Sequence, residues 1–318
     1  MGKSTPMRYF NLLKHSLLLI GILLIGFKSH AQTDPMFTQY MHNPVSINPA
    51  YAGSRGTLNF VAMNRLQWVG IEGAPRTLAL SVNSPFLNYN VGVGLTVLRD
   101  EIGPTKQTGI YADYAYHLKL NDEVKLSFGV KAGVNLYDVN LLNLRGAQND
   151  NLVAYDGISR LTLPNFGIGT YLYADNYYFG FSIPKMLQNK LTTYNTTTSA
   201  NNREVRNIFI AGGMVFNLSE SFRLKPSSTI RITNGAPIST ELTAAFQFKN
   251  RLWFGGMYRI GDAIGALLKL DVTNQLSIGY SYDLTQSQLR PYTLGTHEIF
   301  ISYDMALRSK NILSPRYF

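Results

Sequence analysis

The chain has 318 residues, a formal net charge of +10 and no cysteine, which excludes disulfide staples, thiolate metal sites and cysteine nucleophiles. Lys3, Arg8, Lys14 and Lys28, and none of the acids, lie in the first 31 residues, so the remainder carries +6. That excess is scattered rather than clustered, and a nucleic-acid partner has no support in it.

Residues 1–31 are predicted to be a signal peptide. Lys3, Arg8 and Lys14 make a positive start, Leu17 to Phe27 is an apolar run of eleven residues, and Ser29-His30-Ala31 is a small-x-small cleavage site. The run is short of the roughly 20 residues that span a bilayer. No cysteine follows the cleavage site, so the signal is not of lipoprotein type.

Residues 32–56 are not strand-like. They hold Pro35, Pro44 and Pro49 among repeated asparagines, which rules out a long regular element. Phe37, Tyr40 and Met41 have the spacing of one helical turn, so a short helix is expected over 36–42. A folded, aromatic-rich segment ahead of a barrel is expected to plug its lumen or cap its periplasmic mouth.

From residue 57 onward the pattern alternates. Leu276, Ile278, Tyr280, Tyr282 and Leu284 share one face of an extended strand, and Ser277, Gly279, Ser281 and Asp283 share the other. Ile299, Ile301, Tyr303 and Met305 repeat this against Phe300, Ser302 and Asp304. The spacing predicts strands near 57–69, 76–84, 90–99, 107–119, 123–137, 164–174, 177–184, 205–218, 221–232, 239–249, 251–260, 263–271, 274–284 and 296–306. This is an all-β chain, read as an outer-membrane β-barrel of about fourteen antiparallel transmembrane strands over 57–306, followed by a tail at 307–318. A polar lumen and aromatic girdles account for near-neutral hydropathy beside 20 Tyr and 17 Phe.

Short turns at 121–123, 175–176, 249–250 and 273–274 suit the periplasmic side. Long links, 138–163 and 185–204, suit the outer face, and the second, threonine-rich and polar, is expected to be structureless. Glycine is frequent inside strands, for example Gly92, Gly129 and Gly169. On lumen-facing positions it would mark close backbone approach or room for a plug. A propeller would need a repeat of about 40–50 residues, and none is found. A sandwich of this size would need two domains and a linker, and none stands out.

Catalytic signals are missing. No His pair has zinc spacing, no calcium loop or nucleophile elbow occurs, and no cofactor is expected. His117 and His297 lie in strands and are the candidate bases of a lipid hydrolase, although a histidine at a barrel rim is ordinarily a girdle or packing residue. Asp113 and Asp304 fall in the lumen phase. The chain is therefore expected not to be an enzyme.

The segment Asp34-Pro35-x-Phe37-x-Gln39-Tyr40-Met41-x-Asn43-Pro44, followed by Asn48-Pro49-Ala50-Tyr51-Ala52-Gly53, is specific. With Gly295-Thr296-His297-Glu298-Ile299 and the terminal Ser314-Pro315-Arg316-Tyr317-Phe318, it resembles the PorP/SprF family of type IX secretion system membrane proteins of Bacteroidetes. The resemblance implies a cell-outer-membrane barrel in contact with lipid that works with the type IX machinery. It implies export or surface attachment of cargo, notably gliding-motility adhesins with a type B C-terminal domain. The residues expected to hold the plug or to meet a partner are Phe37, Gln39, Tyr40, Asn43, Asn48 and Pro49, with Tyr317 and Phe318 in the tail. A small-solute porin or transporter shares the barrel and is the rival reading.

Overall fold

The period-two pattern sorts the chain's chemistry in the reverse of a water-soluble protein. In the computed structural model, which describes residues 35–86, 90–140, 158–191 and 203–307, one strand face is polar and buried and the other is apolar and exposed. Asn59, Arg65, Asn83, Asp113, Lys131, Asn135, Lys269, Asp283 and Glu298 are buried. Leu78, Leu80, Leu95, Tyr114, Phe128, Phe166, Leu268, Tyr280 and Ile301 are exposed. An apolar band of this extent is untenable in water and is what hydrocarbon requires of a spanning sheet.

The strands are β1 (Leu58–Leu66), β2 (Arg76–Phe86), β3 (Val91–Ile102), β4 (Thr105–Lys119), β5 (Lys125–Asn140), β6 (Ile158–Tyr173), β7 (Tyr177–Ile183) and β8 (Asn207–Met214). They continue as β9 (Phe216–Asn217), β10 (Phe222–Thr233), β11 (Ser239–Phe248), β12 (Leu252–Arg259), β13 (Ala263–Asp271), β14 (Leu276–Thr285) and β15 (Thr296–Met305). Each pairs antiparallel with its neighbour in sequence, save that β8 and β9 both lie on β10. They form one stave in unbroken register, interrupted at Val215, whose N–H turns to Asn176 O at 2.7 Å. The last strand closes on the first, from Leu58↔Met305 to Leu66↔His297. The result is a closed barrel of fourteen staves, so no backbone edge is left to face lipid. Among the described residues no helix is long and apolar enough to cross a membrane, which says nothing against strands that do.

An even number of staves returns the chain to the rim where it entered. Strand order places the links 120–124, 174–176, 218–221, 249–251 and 272–275 on that rim, and all are short. The links 67–75, 103–104, 260–262 and 286–295 lie on the opposite rim, where β5 and β7 end and β6 and β8 begin. At 249–250 both residues take positive φ, 48° and 58°, the mirror-image geometry that matches the twist of a tight hairpin.

Three expectations need correction. The link after β5 is shorter than 138–163, because β5 runs to Asn140 and β6 begins at Ile158, pairing Asn140↔Ile158. The foot of the link 184–206 is ordered: Lys190 bridges Arg203, and Glu204 N donates to Asn189 O at 2.8 Å. The stretch over 36–42 is not a helix but enters a single 3-10 turn, Tyr40–His42, for a reason given below. The predicted signal peptide, 1–31, and Tyr317 and Phe318 of the tail lie outside the described residues.

Candidate functional site

Asparagine–proline pairs shape residues 35–56. A proline disfavours helical geometry in the residue before it: Asn48 (φ −132°, ψ 108°) is extended, and Asn43 (φ −140°, ψ 58°) is likewise outside the helical region. Each following proline then opens a new turn, where its lack of an N–H costs nothing. The segment is therefore three consecutive 3-10 turns, Tyr40–His42, Pro44–Ser46 and Pro49–Tyr51. Over 36–42 only Tyr40–His42 turns: Pro44 keeps that turn from running past Asn43, and ahead of it the N–H groups of Thr38 and Gln39 go to Glu298. Asn48 caps the third turn, its Oδ1 accepting from Ala50 N at 3.0 Å.

The first part of the segment meets charge. Glu298 on β15 accepts both Thr38 N and Gln39 N at 2.8 Å, one at each carboxylate oxygen. Arg65, paired across the strands with Glu298, donates to Glu298 at 2.9 Å, to Asp283 at 3.0 Å and to Thr38 Oγ1 at 2.8 Å. Thr38 Oγ1 in turn donates to Asp283. Arg259 reaches Thr38 Oγ1 at 3.3 Å while holding Glu241 at 2.6 Å and Asp262 at 3.2 Å. Arg65 and Glu298 are 2% and 1% exposed, so each charge depends on its partners for what water would otherwise supply. Phe37, Tyr40 and Ile47 bury their apolar surface beside Val61, Met63, Phe209 and Phe300. His42 stacks on Phe300 with centroids 4.5 Å apart. The surrounding barrel atoms hold its pKa well below the usual histidine value by desolvation, reinforced by the cations Lys269, Lys225 and Arg55. His42 is therefore neutral at pH 7.

The second part meets space. A Cβ on Gly92 would fall 1.8 Å from Ala52 O, one on Gly129 2.2 Å from Ala50 N, and one on Gly169 2.1 Å from Asn48 Oδ1. Only glycine lets residues 48–53 lie this close to the sheet. Neutral hydrogen bonds fasten what the glycines admit. Asn48 Nδ2 donates to Thr170 O at 3.0 Å, Ser182 Oγ to Ile47 O at 2.8 Å, and Ser81 Oγ to Asn43 Oδ1 at 2.7 Å. Lys131, paired with Asp113 at 3.0 Å, donates to Val45 O at 3.1 Å. Arg55 pairs with Asp304 at 3.1 Å as the chain enters β1.

Of the residues singled out from sequence, Phe37, Gln39, Tyr40, Asn43, Asn48 and Pro49 all lie along this contact. Asp113 and Asp304 face inward, each against a cation. His117 Nε2 is 2.9 Å from Ala52 O and its Nδ1 is 3.1 Å from Tyr173 OH. His297 lies on the outward phase, its Nδ1 2.6 Å from Tyr280 OH and its ring beside Tyr282. None of these histidine partners is a serine, so the hydrolase geometry gains nothing from them. Sequence reasoning missed Arg65, Thr38, Asp283 and Arg259. The available signal was charge in the lumen phase of strands, where a polar but uncharged residue would have sufficed for a water-filled wall.

A closed barrel with an apolar exterior and polar interior defines an outer-membrane β-barrel protein. The model of the family described as type IX secretion system membrane protein PorP/SprF matches residues 29–303, and the chain belongs to that family. No curated relative matches the chain. Among solved structures it is similar to a KdgM porin (8% identity, 77% of this chain and 98% of that one, TM-score 0.38). It is also similar to Omp33 of Acinetobacter baumannii (9%, 78% and 98%, 0.41) and to a FadL homologue of Pseudomonas aeruginosa (13%, 81% and 92%, 0.41). These likenesses are too distant to bear on function. Family and closed barrel together place the protein in the outer membrane.

Proposed function

We propose that the protein is a non-catalytic component of the type IX system that helps secrete, or hold at the cell surface, a cargo protein with a type B C-terminal domain, such as a gliding adhesin. In this reading residues 1–31 are an export signal, 32–56 a plug, 57–306 the lipid-embedded barrel and 307–318 a tail facing the periplasmic machinery. The short-turn rim faces the periplasm. The rim carrying 67–75, 103–104, 260–262 and 286–295 faces outward and receives cargo.

One observation carries the reading: five of the inward-facing charges are spent on residues 38–55 rather than on a water-filled path. Glu298, Arg65, Asp283, Lys131 and Asp304 each bond the segment or a partner that does. A wall used this way suits a docking platform better than a channel for small solutes.

The test is a deletion strain scored for surface display of type B cargo, with a pull-down of a loop-tagged copy from detergent-solubilised outer membranes. Loss of one adhesin from the surface, and its recovery through its C-terminal domain, is the expected result. A strain that still displays all such cargo removes the proposal, and large steady single-channel currents from the purified protein would favour the porin instead.

A further inference from the structure

The lipid-facing side of the wall changes chemistry on one arc, at the rim opposite the short turns. Strand pairing sets Arg76 of β2, Glu101 of β3 and Lys106 of β4 side by side, and the row continues to Asp138 of β5 and Arg160 of β6. Each shares its strand phase with an exposed apolar residue below it, Leu78, Leu95, Ile110, Phe128 and Phe166 in turn. Across the barrel the row near the same rim is Leu242, Tyr258, Ile264 and Leu284, which carries no charge.

Register fixes the height of this row. Arg99 lies one step below Glu101 in the same phase, paired with Leu78 on one side and Thr108 on the other, and Thr108 pairs with Leu136. Its side chain therefore leaves the wall at the top of the apolar band, level with two leucines. An arginine facing lipid is costly in mid-membrane and costs little where the headgroups begin. Glu101 accepts Nη2 of Arg99 at 2.7 Å and Nε at 3.0 Å on one oxygen, which leaves the Nη1 edge without a partner among the described residues. An exposed pair of this kind is weak and open to exchange. Arg76, Arg99 and Lys106 thus surround one acid on three adjacent strands, within about 10 Å of one another. All three are exposed, so burial does not oppose their charge. Farther along the row, Asp138 already matches Arg160 at 3.5 Å.

We propose that Arg76, Arg99 and Lys106 bind the phosphate of a phosphorylated glycolipid in the outer leaflet, whose acyl chains then lie over Leu78 and Ile110. Arginine offers paired N–H groups to phosphate oxygens and lysine a point charge. Basic clusters at headgroup height are a general means of recognising an anionic lipid. Continuity with the apolar band selects a lipid phosphate over free phosphate, which gains nothing from the leucine and isoleucine below. The site rests on the proposed orientation, with the short turns in the periplasm.

The probe is diphosphorylated lipid A, added to the delipidated full chain in detergent and counted by native mass spectrometry. Dephosphorylated lipid A, phosphatidylglycerol and inorganic phosphate are run beside it. The expected result is saturable binding of lipid A that weakens when its phosphates are removed. Arg99→Gln should raise the half-saturating concentration by about tenfold, the loss of one charge-assisted contact. Arg160→Gln removes the same charge where Asp138 already matches it, and should shift binding by less than about twofold. Equal loss in the two variants, equal binding of the dephosphorylated lipid, or tighter binding of phosphatidylglycerol or inorganic phosphate overturns the proposal. The comparison of lipids uses the unaltered chain, so it stands even where a variant does not fold. Orientation is read separately from Gln288→Cys, the sole thiol in a cysteine-free chain, with a membrane-impermeant maleimide on whole cells. Labelling without lipid A binding overturns the lipid site alone. Labelling only after lysis overturns the orientation, and the outer-leaflet lipid with it.

Discussion

The arc of wall built from β1, β12, β14 and β15 meets residues 38–39 with charge, whereas the arc from β2 to β7 meets residues 43–53 with glycine, amide and hydroxyl groups. Arg65, Asp283, Glu298 and Arg259 act on two backbone N–H groups and one hydroxyl. Gly92, Gly129 and Gly169 act by having no side chain at all. The first arc is sensitive to the loss of a charge and tolerant of small changes in volume. The second brings charge to the segment at Val45 O, through Lys131, and should fail chiefly on the addition of one carbon. A segment fastened both ways is fixed in position at one end and in depth at the other, which is what the proposed plug needs.

The largest effect should come from the charged arc. Glu298→Ala strips two backbone N–H groups of their acceptor and leaves Arg65 short of a partner, at a cost of about 3–5 kcal/mol. Limited proteolysis in detergent should show cleavage within 35–56 in this variant and protection in the parent. Next comes the glycine arc. Gly129→Ala places a methyl group against Ala50 N and Pro49 C, and should cost about 1–3 kcal/mol with the same proteolytic signature. Gly256→Ala is the control, because its added carbon meets nothing nearer than Gly265 O at 3.7 Å. Equal sensitivity of both variants would break the comparison. Asn48→Ala loses a turn cap and the bond to Thr170 O, and thermal melts should fall by an amount equivalent to about 1 kcal/mol.

Acidity should sharpen the contrast. His42 has a lowered pKa while docked, so a released segment binds a proton that the docked one refuses. Docking is then fully stable above the ordinary histidine pKa of about 6.5 and weakens as pH falls below it. The groups facing His42 are Lys225 on β10, Lys269 on β13 and Arg55 within the segment, with Asp271 and Asp304 holding the last two. The effect is the smallest of the four near pH 6, and His42→Gln should abolish it in a proteolysis series from pH 7 to pH 5.

Much of the barrel is legible in the sequence because lipid and lumen write opposite chemistry on alternate residues. β13 was read at its observed bounds, and β14 and β15 within two residues, because Ile278, Tyr280, Ile299 and Ile301 strictly alternate with Ser277, Ser281, Glu298 and Ser302. The paired ends of β5 and β6 were missed for the same reason reversed. Asp138, Asn140 and Arg160 put polar groups on the outward phase, where the strands below carry apolar ones, so the hydropathy period ends there although the backbone pairs Asp138↔Arg160. The glycines in strands correctly suggested close approach, but which backbone approaches them is a tertiary fact. The charged arc was less legible still. Thr38 meets Glu298 across 260 residues, and no local pattern encodes that pairing. The turns at Asn43-Pro44 and Asn48-Pro49 were visible as breaks in helix, yet the 3-10 geometry between them depends on the wall that receives it.

The most direct test of the proposed occlusion is planar-bilayer conductance of the intact chain against a variant lacking 35–53. The account predicts a silent or barely conducting parent and steady openings in the variant, with Glu298→Ala flickering between the two. Equal, steady conductance from the parent and the variant would contradict it.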